Sequence, residues 1–216
     1  MEPAETLAAR YLARNVTIDI GRCVSRGITL VTSNLGLVIG SGLLAVIIMI
    51  GINVVPILGW IASFFIDPPL VAGLYLILLK RLRGQEAAVG DIFAPFSGQV
   101  LTLALASIVT GILVTLGMMA LLLPGIYLAV AYLFTVPLIA DKKLEFWTAM
   151  ELSRKVVTKH WFSALGLILV AALIAAAGIL AIVVGLIITA PIAGAAIAVA
   201  YEDLFGDQPA AAASTV

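Results

Sequence analysis

Long apolar stretches without a single lysine or arginine separate three clusters of basic residues, and this pattern constrains the fold more than any other feature. The clusters hold all twelve basic residues: Arg10, Arg14, Arg22 and Arg26; Lys80, Arg81 and Arg83; Lys142, Lys143, Arg154, Lys155 and Lys159. With 63% apolar and 11% charged residues, the chain has too little polar surface for a soluble globule of 216 residues. The sequence therefore predicts an all-α polytopic membrane protein.

Six apolar stretches are predicted to cross the bilayer, and most of them reach the roughly twenty helical residues that span a ~30 Å hydrocarbon core. They are Leu35–Val55, Ile57–Leu79, Val100–Leu122, Tyr127–Ala140, Phe162–Val183 and Leu186–Leu204. We expect a transmembrane domain at 35–204 that consists of three hairpins, 35–80, 100–141 and 161–204. The hairpins are similar in length, and a threefold repeat of interfacial helix plus hairpin is one interpretation of the pattern.

The distribution of charge predicts the orientation of these helices. Lysine and arginine are retained on the cytoplasmic side of a membrane, whereas the turns at 51–56, 123–125 and 184–186 are uncharged. Both termini are therefore predicted to be cytoplasmic. The first 34 residues contain four arginines and no continuous apolar region, so we do not expect a cleaved signal peptide. The tail, residues 205–216, is predicted to be disordered.

Amphipathic helices are predicted at residues 1–34 and 145–160, on the cytoplasmic face. The helix from Thr17 to Ser33 places Ile20, Val24, Ile28 and Val31 on one stripe and its arginines on another. Such helices lie in the headgroup region and turn their basic side chains toward anionic lipid. Candidate headgroup ligands are Arg22, Arg26, Lys142, Lys143, Arg154, Lys155 and Lys159. The alternative is that these charges only set the topology.

Small residues recur at four-residue spacing on three of the predicted spans, as on helices that approach one another closely. These faces are Gly36 and Gly40; Ser107, Gly111 and Thr115; and Ala190, Gly194 and Ala198. Packing inside one chain and packing between copies use the same residues, so the pattern leaves a homo-oligomer or a partner membrane protein open.

Asp67 is the one acidic residue inside an apolar span, thirteen residues before Lys80 and thus roughly 20 Å of helix from the cytoplasmic end. Pro68 and Pro69 follow it, and we expect them to break or restart the helix. A buried carboxylate beside a broken helix is a candidate site for an ion or solute. Alternatively, Asp67 caps a helix that begins at Pro68.

The residues that usually carry catalysis or bind metals are scarce. Cys23 is the only cysteine, so an intramolecular disulfide is excluded, and we interpret it as a small residue at the membrane surface rather than a reactive thiol. His160 is the only histidine, and no zinc ligands lie at suitable spacing around it. We predict no metal, no cofactor, no nucleic-acid partner and no enzymatic activity.

A longer run of residues resembles a known family. The run from Leu123 to Asp141, followed by Ala149–Arg154 and Lys159–Trp161, is similar to a signature of bacterial and archaeal integral membrane proteins. That family includes the membrane domain attached to some glycerophosphodiester phosphodiesterases, together with stand-alone membrane proteins. The resemblance implies a six-helix module of the bacterial inner membrane and transfers no catalytic residues.

Two functions fit these observations. The first is a non-enzymatic membrane module that binds lipid or a partner protein in the groove between the interfacial helices and the spans. The second is a small transporter or channel that uses Asp67 at a break in the second span.

Overall fold

The computed structural model describes residues 4–14, 16–55, 57–180 and 184–206. Within these residues the chain forms ten α-helices and one 3-10 helix, Val89–Phe96. The α-helices are α1 Ala4–Leu12, α2 Ile20–Ser33, α3 Leu35–Asn53, α4 Leu58–Leu82, α5 Val100–Ala120, α6 Leu122–Ala131, α7 Thr135–Lys142, α8 Phe146–Lys159, α9 Trp161–Leu180 and α10 Val184–Phe205.

Six segments are long and apolar enough to cross a membrane, which confirms the predicted all-α class and number of spans. They are Leu35–Asn53, Gly59–Leu82, Val100–Ala120, Leu122–Lys142, Trp161–Ile179 and Gly185–Phe205. The helix α10 continues to Phe205, which is fully buried. Most of the predicted tail, residues 207–216, lies outside the described residues, as do Pro56 of the first predicted outer turn and residues 181–183 at the end of the fifth predicted span.

The predicted break in the second span is wrong, because α4 runs without interruption through Pro68 and Pro69. The two prolines remove the hydrogen bonds that would have reached the carbonyls of Phe64 and Phe65, and their rings crowd those carbonyls. In an apolar surrounding, opening the helix would leave further backbone groups without water. The continuous helix is therefore the less costly arrangement. It also rules out Asp67 as an N-cap, because Asp67 lies inside the helix.

The fourth span is interrupted instead, between α6 and α7. Pro137 lies in the first turn of α7, and in a continuous helix its ring would clash with the carbonyl of Leu133. Ser153 of α8 satisfies the backbone groups at the break. Its hydroxyl donates to the carbonyl of Ala131 at 2.8 Å and accepts from the N–H of Phe134 at 3.2 Å. Ser153 is fully buried, so a side chain from another helix stabilises the interruption.

Helix α2 packs along α10. The closest approach is at Gly27, where an added Cβ would lie 2.8 Å from the backbone nitrogen of Ala196. The buried side of α2 consists of Cys23, Gly27, Leu30 and Val31. The predicted apolar stripe is therefore only partly correct, because Ile28 is exposed. The side of α2 that packs on α10 is the side that carries Gly27, which lies against Ala195 and Ala196, and it is not the most apolar side of α2.

The 3-10 helix packs against α4, which lacks a side chain at Gly73 where the backbone of Ile92 approaches. Asp91 fixes the position of this helix in two ways. One carboxylate oxygen accepts from the ammonium of Lys80 at 2.7 Å, and the other accepts from the N–H of Ala88 at 2.8 Å. These bonds hold the pKa of Asp91 below its usual range, the Lys80 bond contributing most. The loop after α4 is thus tied to the end of that helix.

A cluster of aromatic rings lies in the core between the end of α1, the residue before α7 and the end of α10. Phe134, Tyr201 and Phe205 are fully buried. Their rings lie within 6 Å of one another, and Tyr11 contacts Phe205 edge to face at 5.3 Å. By contrast, large apolar side chains near the far ends of α3 to α5 are exposed, as in Ile50, Trp60 and Met119. The chain therefore buries its core around the charged ends of the spans.

Within the described residues, no other helix approaches closely at the glycines of the predicted close-packing faces. An added Cβ at Gly36, Gly111 or Gly194 would meet nothing within 4 Å, and at Gly40 it would meet only a methyl group at 3.9 Å. Close helix approach occurs at other small residues, among them Gly27 and Gly73.

Candidate functional site

Arg83 joins the ends of three spanning segments. It follows α4, and its guanidinium forms a bidentate pair with Asp141 of α7, at 2.6 and 2.9 Å. The same guanidinium binds both carboxylate oxygens of Glu202 in α10, at 2.8 to 3.2 Å. We call Arg83, Asp141, Glu202 and Tyr201 the charged junction. Tyr201 belongs to it because its hydroxyl donates to Asp141 at 2.9 Å.

The charged junction is shielded from water. The side chain of Asp141 is 7% exposed, that of Glu202 16% and that of Arg83 22%. The hydrogen bond to Asp141, followed by that to Glu202, raises the pKa of Arg83 although burial opposes this. Lys142 lies 3.7 Å from Asp141, so two cations balance two carboxylates. The junction is built to hold helices together, and its charges are internally compensated.

A second ion pair connects α2 to the end of α10. Arg22 contacts Asp203 at 2.7 Å, and the Cys23 thiol lies 3.8 Å from the same carboxylate. Arg14 donates to the carbonyl of Gly206 at 2.5 Å. Burial, and next the charge of Asp203, raises the pKa of Cys23 to about 12. This agrees with the interpretation of Cys23 as an unreactive residue.

The structure assigns internal contacts to most of the predicted headgroup ligands. Five of the seven have an intramolecular partner: Arg22 with Asp203, Lys142 with Asp141, Arg154 with Glu151, Lys155 with Glu5 and Glu151, and Lys159 with the carbonyl of Leu12. Arg26, Lys143 and Lys159 have exposed side chains. Three of these contacts, those of Arg22, Lys155 with Glu5, and Lys159, join different helices, whereas Lys142 and Arg154 pair within their own helix.

The pair on α8 lies within one helix. Glu151 and Arg154 are bonded at 2.8 and 2.9 Å, one turn apart. That hydrogen bond is the main cause of the lowered pKa of Glu151 and the raised pKa of Arg154. The same helix buries Met150 and Val157.

A cavity of about 530 Å³ lies between α4, α5 and α7 beside the 3-10 helix. Its lining is about half polar, and the polar side chains are those of Ser97, Gln99, Thr102, Lys143 and Glu145. The Gln99 amide donates to the carbonyl of Ile139 at 2.8 Å and so connects the start of α5 to α7. Lys143 adopts a left-handed conformation with φ of 52°, as is common where a helix ends. That turn places Lys143 and Glu145 at the same cavity.

Asp67 lines a separate cavity of about 260 Å³. Its remaining lining is Trp60, Ser63, Phe64 and Pro68 of α4 and Ser107 of α5. The Asp67 oxygen Oδ1 is buried and has no hydrogen-bond partner among the described residues. Pro68 is the only one of the two predicted neighbours that reaches this cavity; Pro69 is buried elsewhere on the helix.

The described residues contain no group of three His, Cys, Asp or Glu side chains that is arranged to hold a metal ion. His160 follows α8, and its pKa is lowered first by burial and then by the charge of Lys159. The neutral form of the imidazole is therefore favoured at this position.

Sequence reasoning missed the charged junction and Ser153. Asp141 and Glu202 were not candidates, and Arg83 was only one member of a basic cluster. A usable signal was present: each of the three predicted hairpins ends close to a charged residue, namely Arg83, Asp141 or Glu202. The role of Ser153 left no comparable signal, because a buried serine and an exposed one look alike in a sequence.

The chain matches no family model, no curated protein and no solved structure. The resemblance of residues 121–162 to a family of integral membrane proteins therefore stays a prediction from the sequence.

Proposed function

We propose that this chain is a non-enzymatic module of the bacterial inner membrane that binds anionic phospholipid headgroups on the cytoplasmic side. The observation that carries the proposal is the 530 Å³ cavity with Lys143 at its edge. Its volume falls within the range of ligand sites, about 300–1,000 Å³. Apolar lining residues such as Leu76 and Leu144 suit an acyl chain, and the hydroxyl, amide and ammonium groups suit a phosphate, with Glu145 as the one carboxylate beside them.

The proposed topology places this cavity at the cytoplasmic surface. Three hairpins are supported by the contacts of α3 with α4, α5 with α6, and α9 with α10. The charged junction joins the ends of α4, α7 and α10, so these ends belong to one side of the bundle. All basic residues lie near that side, which the retention of Lys and Arg makes cytoplasmic. In this arrangement α1, α2 and α8 lie on the cytoplasmic face, and both termini are cytoplasmic.

Retention of lipid tests the proposal directly. We expect native mass spectrometry of the gently extracted protein to show bound anionic phospholipid, and Lys143→Gln to reduce the retained fraction severalfold. Arg26→Gln is the matched control, because Arg26 is exposed and does not line the cavity. Equal retention by all three proteins, or no retained lipid in the wild type, would overturn the proposal.

A second candidate function is solute transport, which the unpartnered carboxylate oxygen of Asp67 favours. The expectation is pH-dependent flux in liposomes that Asp67→Asn abolishes. Unchanged flux in that variant would remove Asp67 from the transport path.

A further inference from the structure

The Asp67 cavity combines a carboxylate with aromatic rings. Trp60 and Phe64 lie one turn apart on α4, with ring centroids 5.6 Å apart in an edge-to-face arrangement. Both belong to the cavity lining with Asp67. Aromatic faces attract cations, and the attraction is greatest where water is excluded. The two features together are the chemistry that recognises an organic cation.

One oxygen of the Asp67 carboxylate has no hydrogen-bond partner among the described residues. The Asn53 amide donates to the Ser63 hydroxyl at 3.1 Å, which leaves the hydroxyl hydrogen free to point toward the Asp67 carboxyl beside it. The unpartnered oxygen is Oδ1, and it is buried. An ionised carboxylate in such a position is costly unless a cation compensates it.

The lining is too apolar for a hydrated metal ion. One carboxylate and the hydroxyls of Ser63 and Ser107 are the oxygen groups that its side chains supply, whereas Ca²⁺ takes about 6–8 oxygen ligands and Mg²⁺ about six. A quaternary ammonium group needs no such ligands, because a carboxylate and aromatic faces suffice. The volume of about 260 Å³ suits a small cationic group.

The rings also show how such a ligand would enter. Trp60 is 68% exposed and Phe64 42% exposed, on a segment that we treat as crossing the membrane. The cavity is therefore open at the lipid-facing surface of α4. A ligand that reaches it from there must partition into the bilayer, with an apolar tail among the lipid chains.

We propose that the Asp67 cavity binds cationic amphiphiles, with an ammonium or pyridinium group between Asp67, Trp60 and Phe64. This proposal names the class of solute for the transport alternative. It rests on that alternative only in that both use the Asp67 cavity. Binding is independent of the proposed headgroup cavity, whose lining residues are different.

Quenching of Trp60 fluorescence tests the proposal. A variant with Trp147→Phe and Trp161→Phe leaves Trp60 as the only tryptophan of the three, and uncharged maltoside micelles avoid competing lipid headgroups. We expect N-octylpyridinium, a tryptophan quencher, to quench Trp60 in a saturable manner. Octyltrimethylammonium should reverse the quenching, whereas 1-octanol and sodium chloride at matched concentration should not.

Substitutions separate charge recognition from apolar binding. Asp67→Asn should weaken octylpyridinium binding about tenfold or more, while Glu145→Gln, a carboxylate in the other cavity, should leave it unchanged. Asn keeps the shape of Asp, and the melting temperature of the variant shows whether it is folded. Equal binding by the folded Asp67→Asn variant, or equally effective displacement by 1-octanol, would overturn the proposal. Binding without any flux in liposomes would contradict the transport alternative but would still support the binding site.

Discussion

Arg83 and Asp141, 58 residues apart, form a bidentate ion pair in which Nη1 lies 2.6 Å from Oδ1 and Nη2 lies 2.9 Å from Oδ2. The remaining face of the same guanidinium binds Glu202. One side chain thus connects the ends of three spanning segments. Because the planar fork of arginine matches carboxylates in this way, lysine is not an equivalent residue at position 83.

Arg83→Met is expected to lower the free energy of unfolding by about 3–5 kcal/mol, the usual cost of removing one partner from a buried ion pair. The reason is that Asp141, 7% exposed, is left without its principal cation. Unfolding in mixed micelles measures the change. Arg154→Met is the control, since its ion pair is more exposed and such pairs contribute about 0–1 kcal/mol. Similar losses in both variants would contradict the structural role of the junction.

Ser153→Ala is expected to cost about 1–3 kcal/mol, because two buried backbone groups at the break between α6 and α7 lose their partner. Amide hydrogen exchange at Phe134 should accelerate in this variant. Ser25→Ala, on the exposed side of α2, should change stability by less than about 0.5 kcal/mol. If the Phe134 amide stays as protected as in the wild type, Ser153 does not stabilise the break.

Gly27→Ala is expected to destabilise the protein by about 1–3 kcal/mol, as overpacking does, since the new methyl group would lie 2.8 Å from the backbone nitrogen of Ala196. Gly36→Ala adds the same group in open space and should be neutral or stabilising by up to about 1 kcal/mol. Thermal unfolding of the two variants checks the difference. The reverse order of stability would show that α2 does not pack closely on α10.

Cys23 is expected to resist N-ethylmaleimide at pH 7.5 in the folded protein and to react once the protein is unfolded, because the thiolate is the reactive form. Burial raises its pKa in the folded protein to about 12, above the ordinary thiol value of 9.0. The protonated thiol therefore favours the folded state below pH 9, and this contribution is lost as the pH rises from 9 toward 12. Rapid labelling of folded protein at pH 7.5 would contradict this environment.

Much of the fold could be predicted from the sequence, because it depends on composition and periodicity. The all-α class and the six spans are of this kind. The response to proline could not be predicted in the same way: the adjacent Pro68 and Pro69 are accommodated inside α4, whereas the single Pro137 coincides with a break. The difference depends on whether a neighbouring helix supplies partners for the freed backbone groups, as Ser153 does.

For the candidate sites, too, the sequence identified single residues and the tertiary structure determined their surroundings. Asp67 was identifiable because a carboxylate in an apolar span is conspicuous in any sequence, but the aromatic lining around it depends on how α4 faces α5. Lys143 was identifiable only as one of seven basic candidates. The turn after α7 and the bond from Gln99 to Ile139 decide that it borders a cavity.

By itself, the sequence determined that the chain forms apolar helices of membrane-spanning length, because hydrophobic transfer and backbone satisfaction act on each segment alone. Only the tertiary structure decided which charges neutralise one another. Arg83, Asp141 and Glu202 are far apart along the chain, and a local pattern carries no information about which helix ends meet. Electrostatic interactions depend on distance in space, so packing converts three separate terminal charges into one junction.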